Sequence, residues 1–333
     1  MSEERAMPTA FAADAAVRLN LLQQAVKMQP NSAKLLYKLA DEYAERGDDD
    51  AYAETYRAAF RIRQSLRLLR QIGAPPGLSQ AEFVRRRARP LVARGLAYAP
   101  ILAALAASEA ILGDRDAARF LVDYERFFRC QRLPAPEGFS EPEFHAQLAG
   151  EVRTKLRYFD ATAANAIRKG WRHYAVLDMP TPATRTLRAM LQASIADYIA
   201  KMRRDDHPFA AARPDAFKLA SWAIVSNGES RHVPHVHGQA WLTGVYYVVQ
   251  PPVSRAPGSR RGWLRVGAPV GYGVGPDQGW DERLVAPAPG SLVLMPGYFF
   301  HDTQPMEVDE ERICIAFDVV PAELADNIMI EDV

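Results

Sequence analysis

The chain is poor in cysteine, in surplus charge and in long apolar runs, and each shortage closes off a class of protein. Cys130 and Cys314 are its two cysteines. They are too few for a disulfide framework or a zinc–thiolate site, and they suit a reducing compartment. Lys and Arg number 41 against 40 Asp and Glu, a net charge of +1. No basic excess points to nucleic acid, and no acidic tail points to disorder. No window reaches the roughly 18 uninterrupted apolar residues of a membrane-spanning helix. The opening Met1-Ser2-Glu3-Glu4-Arg5-Ala6 has neither a basic n-region nor a long apolar h-region, so no secretory signal is read there. The expectation is a cytoplasmic protein with no membrane and no nucleic acid among its partners.

What remains is ample. With 333 residues and 48% hydrophobic side chains, the chain can build two domains, or one large one with an appendage. From about residue 10 to 130, Ala, Leu and Arg dominate, and apolar residues return at three- and four-residue steps, which predicts helices. Pro30-Asn31-Ser32 punctuates the first run and starts the next helix. Leu36, Leu39, Ala40, Tyr43, Gly47, Tyr56 and Ala59 stand where a tetratricopeptide repeat places its packing residues and turn glycine. Leu102, Leu105, Ala106, Gly113 and Ala118 repeat that spacing, about two periods of ~34 residues further on. The unit between is broken at Gly73-Ala74-Pro75-Pro76-Gly77. The pattern resembles a short tetratricopeptide array with a degenerate middle; a plain helical bundle is the alternative.

Leu133-Pro134-Ala135-Pro136-Glu137-Gly138-Phe139 is the first clear boundary. It divides an all-α repeat domain, residues 1–132, from a second domain, residues 133–333. In the second, a helix is expected at about 142–156 and a strand at 171–177. An amphipathic helix follows at about 182–204, with Leu187, Met190, Leu191, Ile195, Tyr198 and Ile199 on one face. After Pro214 the texture changes. Residues 217–226 alternate like a strand, and short strands then succeed one another between Gly, Pro and Asn turns, with no helix before about 321. Residues 251–261 read as an exposed loop. The fold class is therefore α+β, a helical domain followed by a β-sandwich or barrel of the jelly-roll kind.

The histidines are where chemistry concentrates. Of seven in the chain, His232, His235 and His237 lie within Arg231-His232-Val233-Pro234-His235-Val236-His237. The residues that follow, up to Val249, are apolar, aromatic and β-branched, so the stretch reads as a strand. On a strand, residues two apart share a face, and His235 and His237 can aim two imidazoles at one point. His301 follows the strand-like run 291–296, and Arg312 opens the alternating run Arg312-Ile313-Cys314-Ile315-Ala316-Phe317-Asp318. Two close imidazoles, a distant third and a buried arginine beyond make the residue order of a mononuclear non-haem iron site that also holds a dicarboxylate. Arginine can grip the far carboxylate of such a ligand through two charge-assisted contacts. Cys314 and Ala316 share its face and are small enough to leave room. Ile313, Ile315 and Phe317 point to the outer packing layer. His173 and His207 have no such company and read as structural. Asp302 reads either as a partner that orients His301 or as an exposed residue.

Residues from about 140 to 322 resemble the 2-oxoglutarate- and Fe(II)-dependent oxygenases that occur fused to tetratricopeptide repeats, in the prolyl-hydroxylase-like superfamily. The resemblance rests on Pro234-His235-Val236-His237-Gly238, Trp241-Leu242-Thr243-Gly244-Val245-Tyr246-Tyr247 and Gly262-Trp263. It continues through Pro289-Gly290-Ser291-Leu292-Val293-Leu294-Met295-Pro296, His301 and Glu311-Arg312-Ile313-Cys314-Ile315-Ala316-Phe317. It implies a double-stranded β-helix with supporting helices, and use of Fe(II), 2-oxoglutarate and O2. It gives His235 the first ligand position, His301 the distal one and Arg312 the 2-oxoglutarate position. Tyr247 falls where the wider group often keeps a tyrosine on the same carboxylate, and Thr243 shares its strand parity. That group carries His-x-Asp or His-x-Glu where this chain has His235-Val236-His237, so His237 is either the third ligand or gives its place to water.

The reading is a dioxygenase that hydroxylates a C–H bond of a peptide, a protein side chain or a small molecule. Two rivals stand beside it. One is a three-histidine cupin-like dioxygenase that needs no 2-oxoglutarate; the other is a non-catalytic peptide-binding module.

Overall fold

A computed structural model describes residues 8–72, 77–154, 158–160, 167–203, 205–269, 271 and 274–327. The expected break at Gly73–Pro76, the opening hexapeptide and parts of 155–166 and 268–282 lie outside the described residues.

The first part of the chain is helical: α1 (Pro8–Met28), α2 (Ala33–Glu45), α3 (Asp49–Ile62), α4 (Arg67–Gln71), α5 (Leu78–Ala93), α6 (Ala99–Ile111), α7 (Arg115–Leu121) and α8 (Tyr124–Phe127). Two hairpins have the same turn chemistry. Gly47 between α2 and α3 and Gly113 between α6 and α7 take left-handed backbone angles, φ 71° and 80°, which a side chain would resist. The next residue in each case, Asp48 or Asp114, caps the following helix through its carboxylate at 3.1 Å from the backbone N–H of Ala51 or Ala117. Helix α6 is buried from Ala99 to Ala110, as a helix that is apolar nearly all round must be.

The strand order then begins earlier than the sequence suggested. Residues Arg129–Arg132 form β1, not the end of a helix, and pair with a strand some 160 positions later. All four side chains are exposed, so no burial period marked them. After it come α9 (Glu141–Arg153), β2 (Tyr158–Asp160), β3 (Ile167–Tyr174), α10 (Pro182–Lys201) and α11 (Pro208–Ala211). The capping box of Ser140 and Glu143 starts α9. In α10, Leu187, Leu191, Ile195 and Tyr198 are buried, the face expected.

The strands β4 (Phe217–His232), β5 (Leu242–Val249), β6 (Leu264–Val266), β7 (Arg283–Val285), β8 (Ser291–Pro296), β9 (His301–Thr303) and β10 (Val308–Pro321) complete the chain. Two antiparallel sheets result. One has the order β1-β8-β5-β10-β4-β3-β2, the other β7-β6-β9. The protein is thus α+β, with N-terminal helices and C-terminal antiparallel sheets. Apolar contact is continuous from Ala40 in α2 to Ala325 beyond β10. Polar ties also join the helices to the sheets. Trp280 donates to the Tyr124 hydroxyl at 2.9 Å, and Arg61 pairs with Glu323.

Candidate metal and co-substrate site

The space between the two sheets holds the residues that the sequence singled out. Trp222 and Ile224 come from β4, Thr243, Val245 and Tyr247 from β5, and Arg312, Cys314 and Ala316 from β10. Leu264 of β6 and His301 and Thr303 of β9 close the opposite wall. The alternation of β5 and β10 therefore turns inward the residues it predicted. Ile313, Ile315 and Phe317 are buried in the packing layer instead.

His235 and His237 do not lie on a strand, contrary to expectation. Strand β4 stops at His232, β5 starts at Leu242, and Pro234 and Gly238 lie in the connection between them. A proline has no N–H to give to a ladder. His235 nevertheless makes a single antiparallel bridge with His301, with both backbone N–H···O contacts at 3.1 Å. The bridge holds the two-residue spacing extended, so both rings still point to the same place as His301.

One ring nitrogen from each of His235, His237 and His301 lies within 4.8 Å of the others, and all three residues are buried. The outer nitrogens decide the tautomers. His235 Nδ1 lies 2.7 Å from the Val233 carbonyl, and His301 Nδ1 lies 3.0 Å from the Phe299 carbonyl. A carbonyl can only accept, so each Nδ1 carries the proton, and in the neutral ring each Nε2 bears the lone pair. His237 Nδ1 lies 2.8 Å from Asp318 Oδ1, and its Nε2 is 3.2 Å from that of His301. Two nitrogens sharing a metal at bonds of about 2.0–2.1 Å and near-right angles stand about 3 Å apart, so the spacing fits a common ion. Burial, and after it the neighbouring His235 and His237, hold His301 well below the usual imidazole pKa, which keeps that lone pair available. The donor set, three imidazoles, suits ferrous iron.

Arg312 is 3% exposed, yet among the described residues its guanidinium meets no carboxylate. Its Nε donates to Gln250 Oε1 at 3.3 Å, and its Cζ is 5.7 Å from the centre of the Tyr247 ring. The Tyr247 hydroxyl is fully buried beside that guanidinium without a well-formed hydrogen bond, and burial raises its pKa. A buried cation and a buried hydroxyl are both costly without partners; one carboxylate of a dianionic ligand would satisfy both. Burial also raises the Cys314 thiol pKa, which fits a wall residue and not a nucleophile.

Some residues took other parts than the sequence suggested. Asp302 is buried and pairs with Arg265, Nε to Oδ2 at 2.8 Å, so the Phe299 carbonyl is what orients His301. His232, expected at a rim, ends β4 half-buried and lines the cavity, with Nδ1 3.2 Å from Thr303 Oγ1. Trp222 is buried as expected, but its ring also stacks on His237, centres 5.7 Å apart. Asp318 was missed, although it continues the parity of Arg312, Cys314 and Ala316. His207 proved structural: its ring nitrogens meet the Phe120 carbonyl at 2.8 Å and the Phe209 N–H at 3.2 Å.

Residues 220–318 match the family model described as "Putative 2OG-Fe(II) oxygenase". The match supports an oxidoreductase of that kind. It spans β4 to Asp318 and so contains His235, His237, His301 and Arg312; with the three-histidine group it supports use of Fe(II) and 2-oxoglutarate. Among solved structures, a prolyl-4-hydroxylase from Pseudomonas putida is 14% identical, over 64% of this chain and 98% of its own, with a TM-score of 0.40. A prolyl hydroxylase from Trichoplax adhaerens, bound to a hypoxia inducible factor peptide fragment, is 13% identical over 66% and 94%, with a TM-score of 0.43. The carbocyclase SnoK of nogalamycin biosynthesis is 15% identical over 60% and 81%, with a TM-score of 0.41. At these scores none of the three assigns this chain an activity or a substrate. No curated protein matches the chain. No helix among the described residues is long and apolar enough to cross a membrane.

Proposed function

We propose that the protein is a 2-oxoglutarate- and Fe(II)-dependent dioxygenase that hydroxylates a C–H bond. In the balanced reaction O2 gives one oxygen atom to the substrate carbon and one to succinate, while 2-oxoglutarate loses CO2. Bound iron would supply the oxygen chemistry. His235, His237 and His301 would hold it, with one ring nitrogen each. Arg312 would grip the distal carboxylate of 2-oxoglutarate, with the Tyr247 hydroxyl as a second donor. Thr243, Cys314 and Ala316 would line the space the co-substrate fills, and the two sheets would keep water out.

The observation that carries this reading is the buried Arg312 guanidinium, without a carboxylate partner among the described residues and beside a tyrosine hydroxyl with no well-formed hydrogen bond. It favours a 2-oxoglutarate enzyme over the cupin-like rival, which gives Arg312 no task. The three converging imidazoles speak against a non-catalytic module. We further read residues 1–132 as a tetratricopeptide-like array and 133–333 as the oxygenase domain, with β1 lent to its sheet. The protein is read as cytoplasmic. A groove between α4 and the histidine loop, lined by Leu66, Leu69, Arg70, Pro234, Val236 and Phe300, reaches His235. Its position suits a peptide or protein side chain as substrate ahead of a small molecule.

The test is an anaerobic titration with Fe(II) and then 2-oxoglutarate, followed by the visible metal-to-ligand charge-transfer band. A band that needs both additions, and that His301→Ala and Arg312→Ala abolish, supports the reading. Iron binding without a band moves the cupin-like dioxygenase ahead. No iron binding removes the oxygenase assignment.

A further inference from the structure

The charges around the cavity do not balance without a residue outside it. Arg312 is the only formally charged side chain on its described wall. A divalent metal, that guanidinium and a dianionic co-substrate leave one positive charge over, in a space where unbalanced charge is expensive. Imidazoles that bind a metal are neutral and cannot cancel it.

Asp318 stands behind this wall. It follows Arg312, Cys314 and Ala316 on the same face of β10 and is opposed by Thr243 of β5 and Ala220 of β4. Its side chain is 14% exposed and that of His237 is 4%. Oδ1 has no well-aligned hydrogen bond, yet it lies 2.8 Å from His237 Nδ1. The rest of the ring is also constrained. Trp222 stacks on one face at an interplanar angle of 16°, and Thr243 Oγ1 is 3.5 Å from the same Nδ1. That hydroxyl donates to the Phe317 carbonyl at 3.2 Å and so has no proton to give Nδ1; the ring nitrogen carries the proton, and the carboxylate at 2.8 Å is a nearer acceptor for it than the hydroxyl.

Resting on the oxygenase reading, we infer that Asp318 is the positioning residue of His237 and the counter-charge of the site. Its carboxylate accepts the Nδ1 proton, fixes the tautomer with Nε2 toward His235 and His301, and makes that nitrogen a stronger donor to the metal. His235 and His301 are oriented by neutral backbone carbonyls, whereas His237 has a charged partner at its outer nitrogen. A carboxylate in direct contact with a ligand imidazole typically changes metal affinity by about 10- to 100-fold.

The test uses the full chain and Co(II) as the probe metal. Affinity is measured by competition with a chelator for wild type, Asp318→Asn and Asp318→Glu, and the exchangeable imidazole N–H signals of the Co(II) form are followed by proton NMR. Wild type is expected to show three such signals, with the one assigned to His237 slow to exchange with solvent. Asp318→Asn should bind Co(II) about 10-fold or more weakly and shift that signal alone, while Asp318→Glu recovers part of the affinity. Melting of the metal-free proteins reports whether the variants fold. If Asp318→Asn does not fold, the wild-type spectrum decides: a rapidly exchanging His237 N–H overturns the inference. Unchanged affinity and three unshifted signals in Asp318→Asn overturn it as well, and leave the oxygenase reading standing. A wild type that binds neither Co(II) nor Fe(II) overturns both.

Discussion

Arg312 and Tyr247 face each other from adjacent strands, the guanidinium carbon 5.7 Å from the ring centre, and the buried hydroxyl beside it has no well-formed hydrogen bond. This pair gives a prediction with opposite signs in two states. Tyr247→Phe removes a buried unsatisfied group whose cost is about 1–3 kcal/mol, so the free protein should melt at the same temperature or higher. The same change should weaken 2-oxoglutarate by about 10-fold, the loss of one hydrogen bond to a charged group. Arg312→Lys keeps the charge but loses the forked geometry, and should cost about 10- to 100-fold. Calorimetric titration of the metal-loaded variants and melting of the metal-free ones read both effects. A Tyr247→Phe protein that is less stable yet binds 2-oxoglutarate normally would give the hydroxyl a purely structural role.

Arg265 and Asp302 are directly opposed across β6 and β9, next to the Val266–His301 pair. Their side chains are 12% and 8% exposed. Removing one partner leaves the other charged and buried, at about 3–5 kcal/mol. Arg265→Met is therefore expected to cut stability by about 3 kcal/mol, since Glu282, which also pairs with Arg265, carries the same sign as Asp302 and cannot replace the lost cation. The Arg265→Met/Asp302→Asn double variant should recover a large part. Urea midpoints measure both; a double variant no more stable than the single one would show that the cost lies in packing.

The aspartate caps of the two hairpins should behave alike. Asp48→Ala and Asp114→Ala each lose one helix-start acceptor, worth about 1 kcal/mol. The two sites share no partner, so the double variant should show the sum within about 0.5 kcal/mol. Denaturant curves of the three proteins check this. A strongly non-additive result would mean that the two hairpins do not fold as independent local units.

The inner wall of the site was legible because strand parity is a strong rule. Once β5 and β10 were recognised, Thr243, Tyr247, Arg312 and Cys314 had to face one way. The histidine loop was read as a strand because spacing by two looks the same in any extended segment; Pro234 marked the interruption, but only the bridge to His301 shows how the loop is held. Asp318 obeyed the same parity as Arg312. It escaped notice because an acidic residue near a strand end ordinarily faces water, and nothing local says that the chain folds His237 back over it. Asp302 was misread for the related reason that its partner, Arg265, is remote in sequence and in another strand. β1 carried no signal, since four exposed residues have no period to detect.

His207 should make the protein acid-sensitive in a defined window. It caps α11 by accepting the Phe209 N–H at Nδ1, and it gives its Nε2 proton to the Phe120 carbonyl. Both nitrogens are used by the neutral tautomer, and protonation would set two donors against each other at Nδ1. Burial pushes the pKa down to about 4, with Arg126 adding to the effect and the Phe120 carbonyl and Asp205 opposing it. The unfolded chain, with an ordinary value of about 6.5, therefore takes up the proton first as the pH falls. Above about pH 6.5 the residue adds no pH dependence. Between about 6.5 and 4 the folded state loses up to 1.4 kcal/mol per pH unit from this group, about 3 kcal/mol in all. Below about 4 the loss is complete and the slope from this residue vanishes. His207→Gln keeps an acceptor and a donor but cannot titrate. It should be less stable at pH 7.5 and fall less steeply toward pH 4.5. Urea midpoints at half-unit intervals, compared between the two proteins, give the slopes; parallel curves would place the acid sensitivity elsewhere in the fold.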